Sequence, residues 1–269
     1  MKYYNLAIVA VFSFFLISCS SDEDGTNDSI ELTGSGEVSI TFDNGFADND
    51  LVLGSANAAN ANGETLTVTR FSYIVSNFRL VNKDGEKYVF PKDESYFIIS
   101  QETEADDVEL PEIPAGEYTT LVFGIGVDQE KYLQGAEGQG DFVTLAEENN
   151  MMWSWQAGYK FLNFEGNFTS ETVADPTDFK IHMGSHGSSL DNYKEVTLQL
   201  PSNILVSDGM DPNIHLKIDA GKILVGATNS IELSEKSVIM VDAEKSPQIA
   251  VNVTEMFVVD HVHNANGHE

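Results

Sequence analysis

Two histidines close to the carboxyl end of the sequence have a spacing that suits metal binding. His261 and His263 are separated by one valine in the run Asp-His-Val-His. In an extended strand alternate side chains share a face, so both imidazoles would point the same way, with Cα atoms roughly 6.5 Å apart. Two neutral imidazoles placed like this can converge on one metal ion. A chance His-x-His motif in a charged tail is the alternative interpretation.

Two more histidines lie in segments that alternate like strands. His182 and His215 each stand between two apolar residues. The alternation predicts that both imidazoles face away from the core, where a histidine is either a plain surface residue or a ligand. We assign no ligand role to His186, in a Gly-Ser-His-Gly loop, or to His268 near the end of the chain.

Both tryptophans of the sequence occur together. Trp153 and Trp155 follow two methionines in the run Met-Met-Trp-Ser-Trp-Gln. In extended geometry the two indoles would share a face, whereas a bend between them would give them different surroundings. An aromatic corner that packs the core explains one indole, and the residues alone leave the role of the other open.

Cys19 is the single cysteine among the 269 residues, and it follows Leu-Ile-Ser, the pattern of a lipoprotein cleavage box. Residues 1–18 contain Lys2 and then an apolar stretch that is shorter than the roughly 20 residues needed to span a bilayer. These features predict a lipoprotein signal peptide with lipidation at Cys19. The mature chain would then have no thiol, which excludes disulfides, thiolate metal sites and cysteine nucleophiles.

The segment after the cysteine is polar and acidic. Residues 19–35 comprise the lipidated cysteine and a tether that buries too little apolar surface to fold, and residues 36–269 form the folded domain. Several acyl chains hold a protein at a membrane without a transmembrane helix, so we expect a lipid anchor in the outer membrane, on the periplasmic side or at the cell surface. The formal net charge of −29 argues against nucleic acid as a partner and is compatible with attracting cations.

Strand signals dominate the rest of the sequence. A turn at residues 82–85 predicts a hairpin, residues 111–116 are rich in turn formers, and helical periodicity is confined to residues 129–133 and 246–256. Many short strands without a strand–helix–strand rhythm predict an all-β fold, a single β-sandwich domain with few short helices. The predicted strands are 38–42, 66–81, 87–90, 96–100, 118–127, 159–164, 179–183, 196–200 and 214–218.

Motifs of common enzyme classes are missing from the sequence. It has no Gly-rich phosphate loop, no Gly-x-Ser-x-Gly elbow, no His-Glu-x-x-His helix and no EF-hand spacing. We therefore expect a binding protein rather than an enzyme. The alternative function is a metal-free adhesin or polymer-binding β-sandwich in which Trp153 and Trp155 form an aromatic platform.

Several segments resemble the MbnP-like family of methanobactin-associated periplasmic copper-binding proteins and its lipoprotein relatives. The resemblance extends from Val38 to His263. Its most specific parts are the tryptophan segment at 152–161, with the Glu-Gly pair that follows, and the closing His-Val-His-Asn at 261–264. Residues 71–80 and 179–184 also carry the resemblance, and residues 123–128 add a stretch that is weak by itself.

The resemblance implies a β-sandwich that holds one copper ion by histidines, for copper acquisition, storage or delivery. Strand pairing would have to bring distant imidazoles into one pocket near an indole. Imidazole suits copper, and methionine thioethers are additional candidate donors. The implied copper ligands are His182, His261 and His263, with His215 as a fourth candidate, and the methionines concerned are Met151, Met152 and Met183.

The same resemblance implies a modified tryptophan. Trp153 or Trp155 would be oxidised to kynurenine at or near the metal. A di-haem cytochrome peroxidase-like partner would withdraw the electrons. The expected partners are therefore the copper ion, this protein and the membrane that holds the lipid anchor.

Replacement of Cys19 tests the anchor. In Cys19→Ser we expect the protein to leave the membrane fraction and to lose incorporation of a labelled fatty acid, because no other residue of the box can carry the lipid. Ser20→Ala is the matched control and should remain in the membrane fraction. Equal membrane association of both variants would contradict a lipid anchor at Cys19.

Overall fold

The computed structural model describes residues 31–264. Apolar and polar residues alternate along its strands. Val38, Ile40 and Phe42 are fully buried and alternate with partly exposed neighbours along the first strand. The predicted signal peptide 1–18, Cys19 and most of the tether 19–35 lie outside the described residues. Within the part described, no helix is long and apolar enough to span a membrane.

The strands and helices have the following bounds. The strands are β1 (Ser35–Phe46), β2 (Asn49–Asp50), β3 (Ala56–Ala59), β4 (Thr65–Asn82), β5 (Lys87–Val89), β6 (Tyr96–Ser100), β7 (Asp107–Pro114), β8 (Gly116–Ile125), β9 (Met152–Ser154), β10 (Gly158–Tyr159), β11 (Leu162–Thr169), β12 (Thr177–Met183), β13 (Lys194–Val206), β14 (Asn213–Asp219), β15 (Val238–Ile239) and β16 (Phe257–His263). The helices are α1 (Gln129–Tyr132), α2 (Phe142–Glu148) and α3 (Lys245–Val253).

Two sheets contain most of these strands. The five-stranded sheet has the order β16-β14-β1-β2, with β7 also paired to β1, and β1 and β14 run parallel. The nine-stranded sheet has the order β13-β8-β4-β11-β12-β15, with β3, β5 and β6 paired to the long strand β4. β9 and β10 form a separate two-stranded hairpin. The predicted all-β, sandwich-like fold is confirmed.

Aromatic side chains from both sheets form the centre of the core. Phe42 and Phe257 come from the five-stranded sheet, and Tyr73 and Phe123 come from the nine-stranded sheet. Their rings meet mainly edge to face, with centroids between 5.1 and 6.4 Å apart. The Tyr73 hydroxyl donates to Asn44 Oδ1 on β1 at 3.0 Å, so a buried hydrogen bond also joins the two sheets. Such contacts stabilise a sandwich by burying large apolar area in fixed geometry.

The sequence-based prediction of elements was wrong in several places. The turn-rich residues 111–116 overlap β7, where Val108, Leu110 and Ile113 are buried and hold the strand against β1. Residues 159–164 belong to two short strands, β10 and β11, rather than to one. The helix α2 was not predicted, because its seven residues are too few to show a helical period. The short strands β2, β3 and β15 were not predicted either.

Asp128 anchors the segment that follows β8. Its carboxylate accepts hydrogen bonds from Asn77 Nδ2 at 2.9 Å, the Tyr96 hydroxyl at 2.7 Å and Lys92 Nζ at 2.9 Å. It also caps α1 by accepting from the backbone N–H of Lys131. Burial by itself would raise the pKa of Asp128, but these donors lower it to about 2. The carboxylate therefore ties α1 to β4 and β6.

Removal of this charge should weaken the fold. Asp128→Asn is expected to lower the free energy of unfolding by about 1–2 kcal/mol at neutral pH, because hydrogen bonds to a charged group are lost. The folded-state pKa is lowered, so this stability is present above pH ~4 and disappears as the pH falls towards 2. Urea unfolding at several pH values measures it. Glu130→Gln, which alters an exposed partner of Lys92, is the control and should change little.

Candidate metal centre

Residues 150–160 fold into a compact segment that leads into β11. Met151 and Met152 are buried in the core, and the hairpin of β9 and β10 begins at Met152. Lys160 closes the segment, because its Nζ donates to the Asn150 carbonyl at 3.0 Å and to Asn150 Oδ1 at 3.1 Å. These two hydrogen bonds hold the first and last residues of the segment together.

A turn within this segment separates the two tryptophans. The backbone N–H of Ala157 donates to the Ser154 carbonyl at 3.1 Å, which ends β9 before Trp155. Trp155 packs against Tyr132, with ring centroids 5.2 Å apart. Trp153 instead contacts two histidines. The two indoles therefore form no shared platform.

His182 lies on β12 and is buried next to Trp153. Its ring centroid is 6.3 Å from that of the indole, and only 5% of the residue is exposed. Its Nε2 lies 2.6 Å from Glu165 Oε1 on β11. A carboxylate only accepts hydrogen bonds, so Nε2 carries the proton and Nδ1 carries the lone pair. Nδ1 is buried and has no hydrogen-bond partner within residues 31–264.

His186 also lies against this indole. Its ring centroid is 4.8 Å from that of Trp153, and its Nε2 is buried without a hydrogen-bond partner in the described part of the chain. Burial lowers the pKa of His186, while a hydrogen bond to the Ala157 carbonyl opposes the shift. Burial also lowers the pKa of His182, against the opposing bond to Glu165. Burial therefore shifts both imidazoles towards the neutral form that a metal ligand requires.

A metal-ligating histidine usually donates its second ring N–H to a carboxylate or a backbone carbonyl, which fixes the tautomer and the ring orientation. Glu165 provides this acceptor for His182. What remains around Trp153 is a pair of imidazole nitrogens that are buried and unpaired among residues 31–264. This arrangement suits a soft or borderline metal ion with nitrogen donors.

Gly184 allows the indole to lie this close to the strand end. A Cβ at this position would be 2.1 Å from the Tyr159 carbonyl oxygen and 3.0 Å from Trp153 Cζ3. Any side chain at position 184 would therefore push the indole away from the backbone that connects His182 to His186.

The other three candidate histidines lie on the five-stranded sheet. His215 on β14 is paired directly with His261 on β16, and their ring centroids are 4.7 Å apart. The rings of His261 and His263 are 4.5 Å apart. β16 packs beside β13, which is four strand positions from β12, roughly 19 Å at the usual strand spacing. The structure therefore brings these three histidines together but leaves His182 apart from them.

The described residues show no group of three or more His, Cys, Asp or Glu side chains arranged to hold a metal ion. The Trp153 centre has two imidazoles and is below that number. All three candidate methionines belong to the hydrophobic core: Met151, Met152 and Met183.

The family model MbnP matches residues 35–257. The chain belongs to the MbnP family. At family level this associates the protein with methanobactin and copper. The MbnP match includes Trp153, His182 and His186, and it ends before His261 and His263.

A solved structure, MbnP from Methylosinus trichosporium, is similar to this chain. The sequence identity is 14%, the alignment covers 78% of this chain and 82% of the other, and the TM-score is 0.45. The search of curated proteins found no match.

Sequence reasoning missed His186 and Glu165. His186 follows His182 by four residues across a glycine that ends the strand, and this spacing is the signal that points to a shared site. Glu165 is two residues beyond Asn163, the direct partner of His182 on β11. Side chains two apart on a strand share a face, but the pairing of β11 with β12 is not readable from the sequence.

Gly184→Ala tests the packing of the indole. The added methyl group should lower the free energy of unfolding by about 1–3 kcal/mol through overpacking and should shift the emission maximum of tryptophan fluorescence. Gly116→Ala is the control, because its new Cβ would meet Tyr118 at an ordinary 3.6 Å. An unchanged emission spectrum in Gly184→Ala would argue against this placement of Trp153.

Proposed function

We propose that this MbnP-family protein binds copper at the Trp153 centre through His182 Nδ1 and His186 Nε2. The supporting observation is that both nitrogens are buried and unpaired within the described chain and belong to rings that lie against the same indole. An unpaired buried polar atom costs free energy, and a metal ion is one way to recover it. Copper is the cargo of this site, which fits the association of the family with copper.

The donor set favours copper(I). Two neutral imidazoles satisfy an ion that accepts few ligands, whereas divalent ions prefer three or four donors. His182 is oriented by Glu165, and burial of its Nδ1 limits access of water as a competing ligand. The protein would serve in copper acquisition, storage or delivery and would not itself catalyse turnover.

We further propose that Trp153, rather than Trp155, is the tryptophan converted to kynurenine. Trp153 lies against both candidate ligands, while Trp155 packs on Tyr132. Two molecules of hydrogen peroxide, consumed by a di-haem cytochrome peroxidase-like partner, would accept the four electrons. The C2–C3 bond of the indole breaks and two oxygen atoms are added. Water then releases the C2 carbon as formate and leaves an aromatic amine and a ketone beside the metal.

The lipid anchor would localise this function. With Cys19 lipidated, the domain would stay at the outer membrane, on the periplasmic side or at the cell surface, and its copper would be available to neighbouring envelope proteins.

Copper(I) binding tests the ligand assignment. Protein from the native host is titrated with copper(I) against a chromophoric chelator. His182→Ala and His186→Ala should each weaken binding by more than tenfold, and Glu165→Ala by about 10–100-fold through loss of ligand orientation. His268→Ala, which alters a histidine with no assigned ligand role, is the matched control and should bind like wild type. Unchanged copper(I) affinity in both the His182 and His186 variants would refute the assignment.

Intact mass tests the modification. Protein from the native host should be heavier by about 4 Da than the mass expected for the processed, lipidated chain with both tryptophans intact, the difference between kynurenine and tryptophan. Peptide mapping should place the change at residue 153. Trp153→Phe should lose it, and Trp155→Phe should keep it. An unmodified mass would remove both the kynurenine and the peroxidase-like partner, while polymer binding lost in Trp155→Phe would favour the metal-free alternative.

A further inference from the structure

Three imidazole rings lie in contact on the outer face of the five-stranded sheet. His215 on β14 is directly opposite His261 on β16, and His263 follows on the same strand. The centroid separations are 4.7 Å and 4.5 Å. Imidazoles this close are within the reach of one bound ion.

A β-bulge in β16 creates this cluster. The register with β14 shifts between His215 and Leu216, so that Asp260 and His261 both face outward, whereas Val259 and Val262 pack against the core. Strict alternation from the buried Phe257 would have turned His261 inward. Bulges commonly re-aim side chains at functional positions.

The cluster also has an unpaired nitrogen and two carboxylates. His215 Nε2 is buried and has no hydrogen-bond partner among the described residues, and the closest recorded carboxylate oxygen, Asp43 Oδ2, is 3.5 Å away. His261 Nδ1 lies 2.8 Å from Asp260 Oδ2, which accepts a hydrogen bond from the Nδ1–H group. Nε2 of His261 then carries the lone pair. This is the orientation that a carboxylate gives to a metal-ligating histidine.

This cluster is independent of the copper centre. It lies on the five-stranded sheet, whereas His182 lies on the nine-stranded sheet. Its donor set also differs, with three imidazoles and a carboxylate instead of two buried imidazoles beside an indole.

We propose that His215, His261 and His263, with Asp43, form a second metal site for a divalent ion that prefers imidazole, of the zinc(II) or copper(II) class. Three histidines and one oxygen donor match the four-coordinate geometry of such ions. The nitrogens do not already converge in the described conformation. His261 and His263 lie at the surface, however, so ring rotation can bring their nitrogens to the ion within nanoseconds. The site is therefore one that the ion assembles on binding.

Zinc(II) is the probe for this site. Full-length protein is titrated with zinc(II), and the bound metal is counted after equilibrium dialysis. Wild type should bind one equivalent that is lost in His261→Ala/His263→Ala, and His215→Ala should weaken it by more than tenfold. Asp43→Asn, which keeps the shape of the side chain, should weaken it by a few-fold. Copper(II) should occupy the same site and give the spectroscopic signature of imidazole nitrogen coordination.

Matched variants separate this proposal from the copper(I) site. His182→Ala should retain the zinc equivalent, and the double variant should retain copper(I) affinity, so each site can fail without the other. Val258→Ala, exposed on the same strand, and His268→Ala, outside the described residues, control for general effects near the chain end. Circular dichroism checks the fold. Equal zinc binding by wild type and the His261/His263 double variant would overturn the second site.

Discussion

The bond between Glu165 and His182 is the contact on which the candidate copper centre depends. Antiparallel pairing places Glu165 diagonally across from His182 on the same face of the nine-stranded sheet. The carboxylate holds the proton on Nε2 and thereby leaves Nδ1 available beside Trp153. Without this acceptor the imidazole could turn or change tautomer, and the nitrogen that faces the indole would no longer be fixed as a donor.

A chain of contacts positions the indole above this histidine. Asp128 caps α1 and forms an ion pair with Lys92. These contacts fix the start of the segment that connects β8 to β9. Tyr132 at the end of α1 stacks on Trp155 and donates to its carbonyl at 3.3 Å. The turn that follows β9 then separates the two indoles, so that Trp153 lies against the histidines and not against Tyr132. The weak intrinsic stability of a four-residue helix is thus offset by charged and aromatic contacts at both ends.

The two histidine clusters show how surroundings set the chemistry of one side-chain type. Around Trp153 two imidazoles each hold a nitrogen that is buried and unpaired among the described residues, which suits an ion with a low coordination number. On the five-stranded sheet the imidazoles are partly exposed and accompanied by carboxylates, so their rings are freer to turn. The sandwich separates these environments because its two sheets bury their inner faces and leave each outer face to be covered or solvated independently.

Local pattern in the sequence determined the all-β class, the long strand β4 with its hairpin, the outward face of His182 and the resemblance to the MbnP family. These features depend on alternation and on short motifs, which act over a few residues. Only the tertiary structure decided that His182 is covered by Trp153, that His186 and Glu165 join it, and that His215 meets His261 and His263 instead. Strand order, the bulge at Asp260 and the turn after β9 are long-range or cooperative choices, and period-two alternation carries no information about which strands become neighbours.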